Sequence, residues 1–251
     1  MNRAERRALG QRGPNHPTVQ MMYLHPGEVS AAFMASVLRC RDYEVVRTGQ
    51  LFGTSERRAR SGGIARARNE MTEAFCDGQA DWLWFVDADM GFPKDALHKM
   101  LAAADPADRP VVGGLCFAQA SNAYEEETNA EYFALIPTLS VWEKDDGGQI
   151  LGFRTVTDYP RDAMCKVNAT GAALLLIHRS VVCDMRDVYG PNWWSELPRQ
   201  NGATFSEDTS FCIRLDQMGV PLFVHTGVRT SHDKGGVFLT ERLWDEQQAR
   251  A

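Results

Sequence analysis

The sequence predicts an α/β fold with a mostly parallel central sheet flanked by helices and a small antiparallel addition, and three observations carry that prediction. Trp82 to Val86 is an unbroken apolar run closed by Asp81 and Asp87, the pattern of a strand covered by helices on both faces. Strand-like and helix-like segments alternate from Val19 to Phe117, as βαβ units require. The middle of the chain carries β-prone stretches on either side of a turn at Asp145 to Gly148, which reads as hairpins attached to a parallel core.

Taken in order, residues 1–17 hold Arg3, Arg6, Arg7 and Arg12 followed by Gly13, Pro14 and Pro17, and read as a flexible basic leader. The main domain is expected over residues 18–239, with 240–251 a C-terminal tail or short helix. Val19 to Leu24 is the first strand, ended by Pro26-Gly27. Glu28 to Leu38 sets Val29, Phe33, Val37 and Leu38 at helical intervals. Tyr43 to Val46 reads as a second strand, and the polar, basic stretch Gly49 to Gly63 as a loop. Ile64 to Phe75 is helical and stops at Gly78. After the Trp82 strand, Pro93 opens a helix over Lys94 to Ala104, because proline's missing N–H has no partner to lose in a first turn.

Val111 to Phe117 is the next strand, followed by strand-like Tyr132 to Trp142 and Ile150 to Val156. Ala172 to Ile177 is apolar, and His178 to Met185 starts a short helix. Gly190 to Gly202, with Trp193 and Trp194, reads as a loop on the active-site side. Ser206 to Met218 is an amphipathic helix through Phe211, Leu215 and Met218, and Pro221 to His225 is the last strand. In such a sheet the ligand crevice lies beyond the C-terminal strand ends.

A chain of 251 residues with 44% hydrophobic and 24% charged composition can bury one substantial core. The net charge of -6 argues against a nonspecific grip on nucleic acid. Its six cysteines show no CxxC spacing, which fits reduced thiols and a cytoplasmic location. No apolar run reaches the length of a signal peptide core or a membrane span, so no transmembrane segment is expected.

Asp87 and Asp89 follow the all-apolar strand directly. Carboxylates at that edge suit Mg2+ or Mn2+, and a bound cation turns their mutual repulsion into attraction. A plainer role is also open, Asp87 in a turn and Asp89 in solvent. Arg66 and Arg68 carry guanidinium groups that can clamp phosphate oxygens, although residues two apart cannot share a helix face. Arg66 could equally pair with Glu70 or Glu73 in solvent. Trp193 and Trp194 could stack on a sugar or pack into the core.

Arg66-Ala67-Arg68-Asn69, Phe85-Val86-Asp87-Ala88-Asp89, Asn168-Ala169-Thr170-Gly171, Ser206-Glu207-Asp208 and His232, in this order, resemble the glycosyltransferases of fold type A, particularly the family-2-like group, over about residues 18–236. The resemblance implies a Rossmann-like sheet and metal-dependent sugar transfer to an acceptor hydroxyl. It implies donor contacts at Tyr23, His25, Pro26, Arg66, Arg68, Asp87 and Asp89. The metal, Mn2+ or Mg2+, would rest on Asp87, Asp89 and His232, with His225 a competing ligand. Gly171 would shape the floor of the site.

The donor implied is a nucleotide-diphosphate sugar, a UDP-sugar ahead of a GDP-sugar; the acceptor is a glycan, a protein or a small molecule. Asp208 would act as general base in an inverting transfer, with Glu207 next in line, and the helix N-terminus is expected to favour ionised Asp208. Two alternatives stand: that Asp208 only caps its helix, and that transfer is retaining. The turn Leu24-His25-Pro26-Gly27 and the long basic segment after it depart from the family pattern, which bears on the nucleoside contacts. A nucleotidyltransferase would use a similar acidic site, but the chain shows no glycine-rich phosphate loop to announce one. A noncatalytic carbohydrate-binding or assembly protein on the same fold is the third reading.

Overall fold

The computed structural model describes residues 17–49, 51–59, 63–120, 123–125, 130–132, 134–148, 150–199 and 202–250. Most of the expected basic leader, residues 1–16, lies outside them. The elements are β1 (Val19–His25), α1 (Ala31–Thr48), β2 (Gly53–Arg58), α2 (Gly63–Asp77), β3 (Trp82–Val86), β4 (Met90–Gly91), α3 (Ala96–Ala103), β5 (Val111–Leu115), β6 (Phe117–Gln119), β7 (Ala123–Glu125), β8 (Ala130–Tyr132), β9 (Leu135–Pro137), β10 (Ser140–Lys144), β11 (Ile150–Thr155), β12 (Met164–Val167), β13 (Leu174–His178), α4 (Arg179–Tyr189), α5 (Glu207–Gln217), β14 (Leu222–Arg229), β15 (Ser231–Lys234), β16 (Val237–Thr240) and α6 (Glu241–Gln248).

The fold is mixed α/β. Seven strands form one sheet in the order β12-β14-β5-β13-β3-β1-β2. β1, β2 and β3 pair in parallel, as do β5 and β14, while β13 and β12 run antiparallel to their neighbours. Along β3, Leu83 and Phe85 enter the core on one face, packed under α2, α4 and α5, and Trp82, Trp84 and Val86 enter the other, under α1 and α3. Burial on both faces explains why this strand shows no polar alternation. The expected hairpin forms between β10 and β11, and further small antiparallel sheets join β4 to the β15–β16 hairpin and β6 to β9.

Several expectations are corrected. Tyr43 to Val46 is not a strand but the second half of α1. Ser30 caps that helix by accepting the Phe33 N–H, and Gly49 ends it in the left-handed conformation at φ 70°. With both ends capped and neither Gly nor Pro between, the β-branched pair is carried along in the helix. The stretch from Gly49 to Gly63 is not all loop. Its residues Gly53–Arg58 form an edge strand exposed at every position, so no apolar pattern exists to betray it.

Val111 to Phe117 divides into β5 and β6, and Tyr132 to Trp142 includes the separate strands β9 and β10. The last sheet strand continues past His225 to Arg229. His232 sits in β15, paired with Leu239 and Met90, and not in an irregular loop. The C-terminal helix α6 packs on the core through buried Trp244.

Candidate functional site

The C-terminal end of β3 turns sharply. Asp87 N–H donates to Ala173 C=O at 2.9 Å, and Met90 N–H returns to Asp87 C=O at 3.1 Å, so the two aspartates occupy a fixed turn. The Ser30 N–H also holds Ala88 C=O at 2.8 Å, tying the turn to the start of α1.

Arg68, on the buried face of α2, is 2% exposed. Its Nη2 donates to Asp87 Oδ1 at 2.9 Å, and its Nη1 donates to Glu207 Oε1 at 3.0 Å and to Asp208 Oδ1. Burial opposes its charge, but Asp208, Asp87 and Glu207 together hold the guanidinium pKa above its ordinary value. Both terminal nitrogens are thus committed to carboxylates. The expected phosphate clamp is here a clasp between the β3 turn and the first turn of α5.

Ser206 caps α5 by accepting the Thr209 N–H, so the capping role considered for Asp208 belongs to its neighbour. Asp208 instead accepts from Arg68 and from the backbone at Ala172, and its side chain keeps 27% exposure. Burial pushes its carboxyl up to about 6; Arg68 opposes the rise, and Glu207 and Asp87 add to it. The expected lowering by the helix terminus is outweighed, because desolvation by the surrounding protein penalises the charged form more.

The second aspartate faces a different group of residues. Asp89 Oδ2 lies 3.1 Å from His232 Nε2 and 2.9 Å from Lys234 Nζ. Against the burial that would raise it, these two partners hold the Asp89 carboxyl down at about 2. His232 Nδ1 lies 3.2 Å from the Phe117 carbonyl, which can only accept, so Nδ1 carries the hydrogen and in the neutral ring Nε2 keeps the lone pair that a metal would use.

Arg68, Asp87, Asp89, Glu207, Asp208 and Lys234 line one pocket of about 620 Å³, together with Leu24, His25, Pro26, Ala59 and Ile64. His25 Nδ1 is buried there without a hydrogen-bond partner among the described residues. The structure therefore brings together His25, Pro26, Arg68, Asp87, Asp89, Glu207 and Asp208, with His232 behind Asp89.

Other expected residues fall elsewhere. Tyr23 turns its hydroxyl to Glu56 at 2.8 Å on the sheet edge. Arg66 is exposed and pairs with Glu70 at 2.9 Å. Trp193 and Trp194 are each 0% exposed, their indole N–H groups donating to Val182 C=O and Thr72 Oγ1. Trp194 lies stacked on Phe211 at 4.1 Å between ring centroids. Neither tryptophan has a ring face free for a sugar, and the core role takes both.

A Cβ on Gly171 would touch Asp208 Oδ2 at 3.7 Å, so that glycine keeps the space beside the carboxylate clear. His225 accepts from the Gly227 N–H within its own strand and does not join Asp89. Lys234 is a pocket residue that sequence reasoning missed; its spacing from His232 on one strand face was hidden while the segment read as loop.

The described residues lining the pocket include six carboxylates, Glu28, Asp87, Asp89, Glu207, Asp208 and Asp233, against the cations Arg68 and Lys234. Such a surplus attracts a cation and repels a bare anion. Among the described residues no group of three or more His, Cys, Asp or Glu side chains is placed to hold a metal ion. Asp89 and His232 nonetheless supply an oxygen and a nitrogen side by side. That set fits Mn2+ or Mg2+ held by few protein ligands and completed by waters and substrate phosphates.

No protein-family model matches the chain, and no curated protein matches it. Among solved structures, 230 chains match. The crystal structure of A197 from STIV aligns with TM-score 0.52 at 15% identity, covering 90% of this chain and 91% of that one. GalNAc-T7 with UDP, GalNAc and Mn2+ aligns with TM-score 0.54 at 14% identity, covering 89% of this chain and 45% of that one, so this chain spans less than half of GalNAc-T7. At these identities the likeness establishes a fold resembling glycosyltransferase type A, and fold alone selects no activity.

Proposed function

We propose that this pocket binds a nucleotide-diphosphate sugar with a divalent metal, and that the protein is a glycosyltransferase moving the sugar to an acceptor hydroxyl. One observation carries the reading: a half-open carboxylate, Asp208, and the Asp87-Ala88-Asp89 turn face the same acidic pocket at the C-terminal sheet edge. A diphosphate cannot enter that carboxylate surplus unaccompanied, whereas a metal diphosphate can. The type-A-like fold agrees with it, and GalNAc-T7, a neighbour in fold, was solved with UDP and Mn2+, which favours a UDP-sugar over a GDP-sugar.

In this reading Asp89 and His232 hold the metal, with Asp87 at its flank, and the metal when bound supplies positive charge for the leaving diphosphate. His25 and Pro26 border the nucleoside end. Asp208 takes the proton of the acceptor hydroxyl as its oxygen forms the bond to the anomeric carbon, and the carbon–phosphate-oxygen bond breaks with its electron pair leaving on the nucleoside diphosphate. Displacement from the face opposite the leaving group inverts the anomeric centre. A carboxyl with a pKa near 6 suits this role, being ionised at neutral pH yet more basic than a solvated aspartate. Arg68 positions Asp208 and Asp87 relative to each other.

The test is turnover of UDP- and GDP-sugars by the purified protein with Mn2+ across glycan, peptide and small-molecule acceptors. Release of nucleoside diphosphate that depends on metal and on Asp208 supports the reading. Binding of sugars without turnover of any donor would overturn it in favour of a noncatalytic carbohydrate binder.

A further inference from the structure

Asp89 Oδ2 receives two nitrogen atoms at once, and they differ in how firmly they are held. His232 and Lys234 stand two residues apart on β15 and so project from one face of that strand. The strand is fastened to the Asp-Ala-Asp turn by its pairing with Met90 and Gly91 and by the Asp233 N–H, which donates to Asp89 C=O at 2.9 Å. Backbone bonds therefore fix the register that puts both side chains on Asp89. His232 is 14% exposed and anchored at its other nitrogen by Phe117 C=O. Lys234 is 45% exposed and is the last residue before a tight turn. That turn is Gly235-Gly236, with φ 65° and 95° and nothing within 4 Å of either Cβ position.

We infer, on the metal-diphosphate reading above, that Lys234 is a place-holding cation: its ammonium neutralises Asp89 in the position a divalent ion takes, and it moves to the diphosphate oxygens when the metal nucleotide enters. An ammonium and a divalent cation cannot share one carboxylate oxygen, because they repel at contact distance and compete for the same lone pairs. A lysine displaced by bare metal has no new anion to meet except carboxylates already facing the pocket. Displaced by metal nucleotide, it meets phosphate oxygens, and the long stem beside an unobstructed glycine turn gives it the reach. Metal and nucleotide therefore bind with positive coupling, each strengthening the other to the same degree. The two-ligand site is weak for metal alone by construction.

The test is titration of the full chain with MnCl2, free Mn2+ being read by electron paramagnetic resonance, with and without UDP or GDP. The proteins compared are wild type, Lys234→Met, which keeps the stem and loses the charge, and Lys234→Ala. Both variants should bind Mn2+ without nucleotide about fivefold more tightly than wild type. Their affinity for nucleoside diphosphate at saturating Mn2+ should fall about tenfold. Nucleotide-free Mn2+ affinity that is unchanged or weaker in both variants, while Mn2+ still binds with nucleotide, overturns the place-holder and leaves the metal reading standing. Failure of every protein to bind Mn2+ with either nucleotide overturns both.

Discussion

Asp87 and Asp89 are separated by one alanine, yet they belong to regions of opposite character. Asp87 joins Glu207 and Asp208 on a guanidinium that is 3% exposed. Asp89 meets an imidazole and an ammonium, the latter 45% exposed. The first region is a clasp in which every charge has a partner, tying α2, the β3 turn and α5 together while its carboxylates still line the pocket. The second sets Asp89 against an anchored imidazole and a half-exposed ammonium that stands beside a glycine turn. The contrast teaches that one short acidic motif can lock its first carboxylate between two helices and leave its second against a half-exposed partner.

The largest break of this contrast is Arg68→Ala. Removing one partner of a buried charge cluster is strongly destabilising, and because the three carboxylates keep 19% to 32% exposure the loss should be discounted to about 2–3 kcal/mol. Urea unfolding monitored by tryptophan fluorescence measures it; Arg68→Lys, with one ammonium for a three-way fork, should recover only part. An Arg68→Ala midpoint equal to wild type would show that the clasp is incidental.

Next comes Asp208→Asn, which removes the charge and keeps the shape. Acceptor-dependent turnover should fall about 100-fold or more with donor affinity preserved. The wild-type rate should also fall as pH drops through about 6, since protonation of Asp208 below its raised pKa removes the base. The sign is decisive, because a base with an ordinary carboxyl pKa near 3.8 would keep its activity at pH 5. Near-wild-type turnover in the variant, or product retaining the donor's anomeric configuration, would end the inverting assignment.

In the second region, Asp89→Asn and His232→Ala should each raise the Mn2+ concentration needed for nucleoside-diphosphate binding by about 10- to 100-fold. Calorimetry reads this directly. Unfolding midpoints should move far less than for Arg68→Ala, since neither residue anchors α2 or α5. Equal destabilisation by all three variants would merge the two regions into one.

Much of this arrangement is legible in the sequence, where burial writes a pattern. The Trp82 to Val86 run, the hairpin around Asp145 to Gly148 and the helix after Ser206 all have apolar spacing or turn chemistry that decides them. The aspartates stand out by their place directly after such a run. What escaped has no such pattern. β2 is polar and exposed throughout, its strand state set by parallel pairing with β1, and β15 reads Ser-His-Asp-Lys, polar at every position. Capping hid the true length of α1, whose Val45 and Val46 favour strand in isolation. Trp193 and Trp194 follow a glycine and a proline like loop residues, yet long-range partners on α2 and α4 bury both. The pairing of Arg68 with Glu207 and Asp208, about 140 positions distant in sequence, is invisible to any local rule.

The smallest effect sharpens the comparison most cheaply, because it uses the other arginine of the same motif. Arg66 and Arg68 are two residues apart on α2, so their side chains leave the helix about 200° from each other. Arg68 is buried in the clasp, while the Arg66 side chain is 70% exposed and pairs with Glu70, which Arg57 also reaches. Losing Arg66 leaves Glu70 a second guanidinium and exposes no buried charge. Arg66→Ala should therefore change stability by less than about 0.5 kcal/mol. Affinity for nucleoside diphosphate should shift less than about twofold, since solvent and salt screen a charge that faces away from the pocket. A clear loss of diphosphate affinity in Arg66→Ala, with its unfolding midpoint unmoved, would mean that this side chain swings across the first turn of α2 to meet the ligand. The grip on the anion would then be shared between Lys234 and a residue whose side chain lies outside the pocket in this structure.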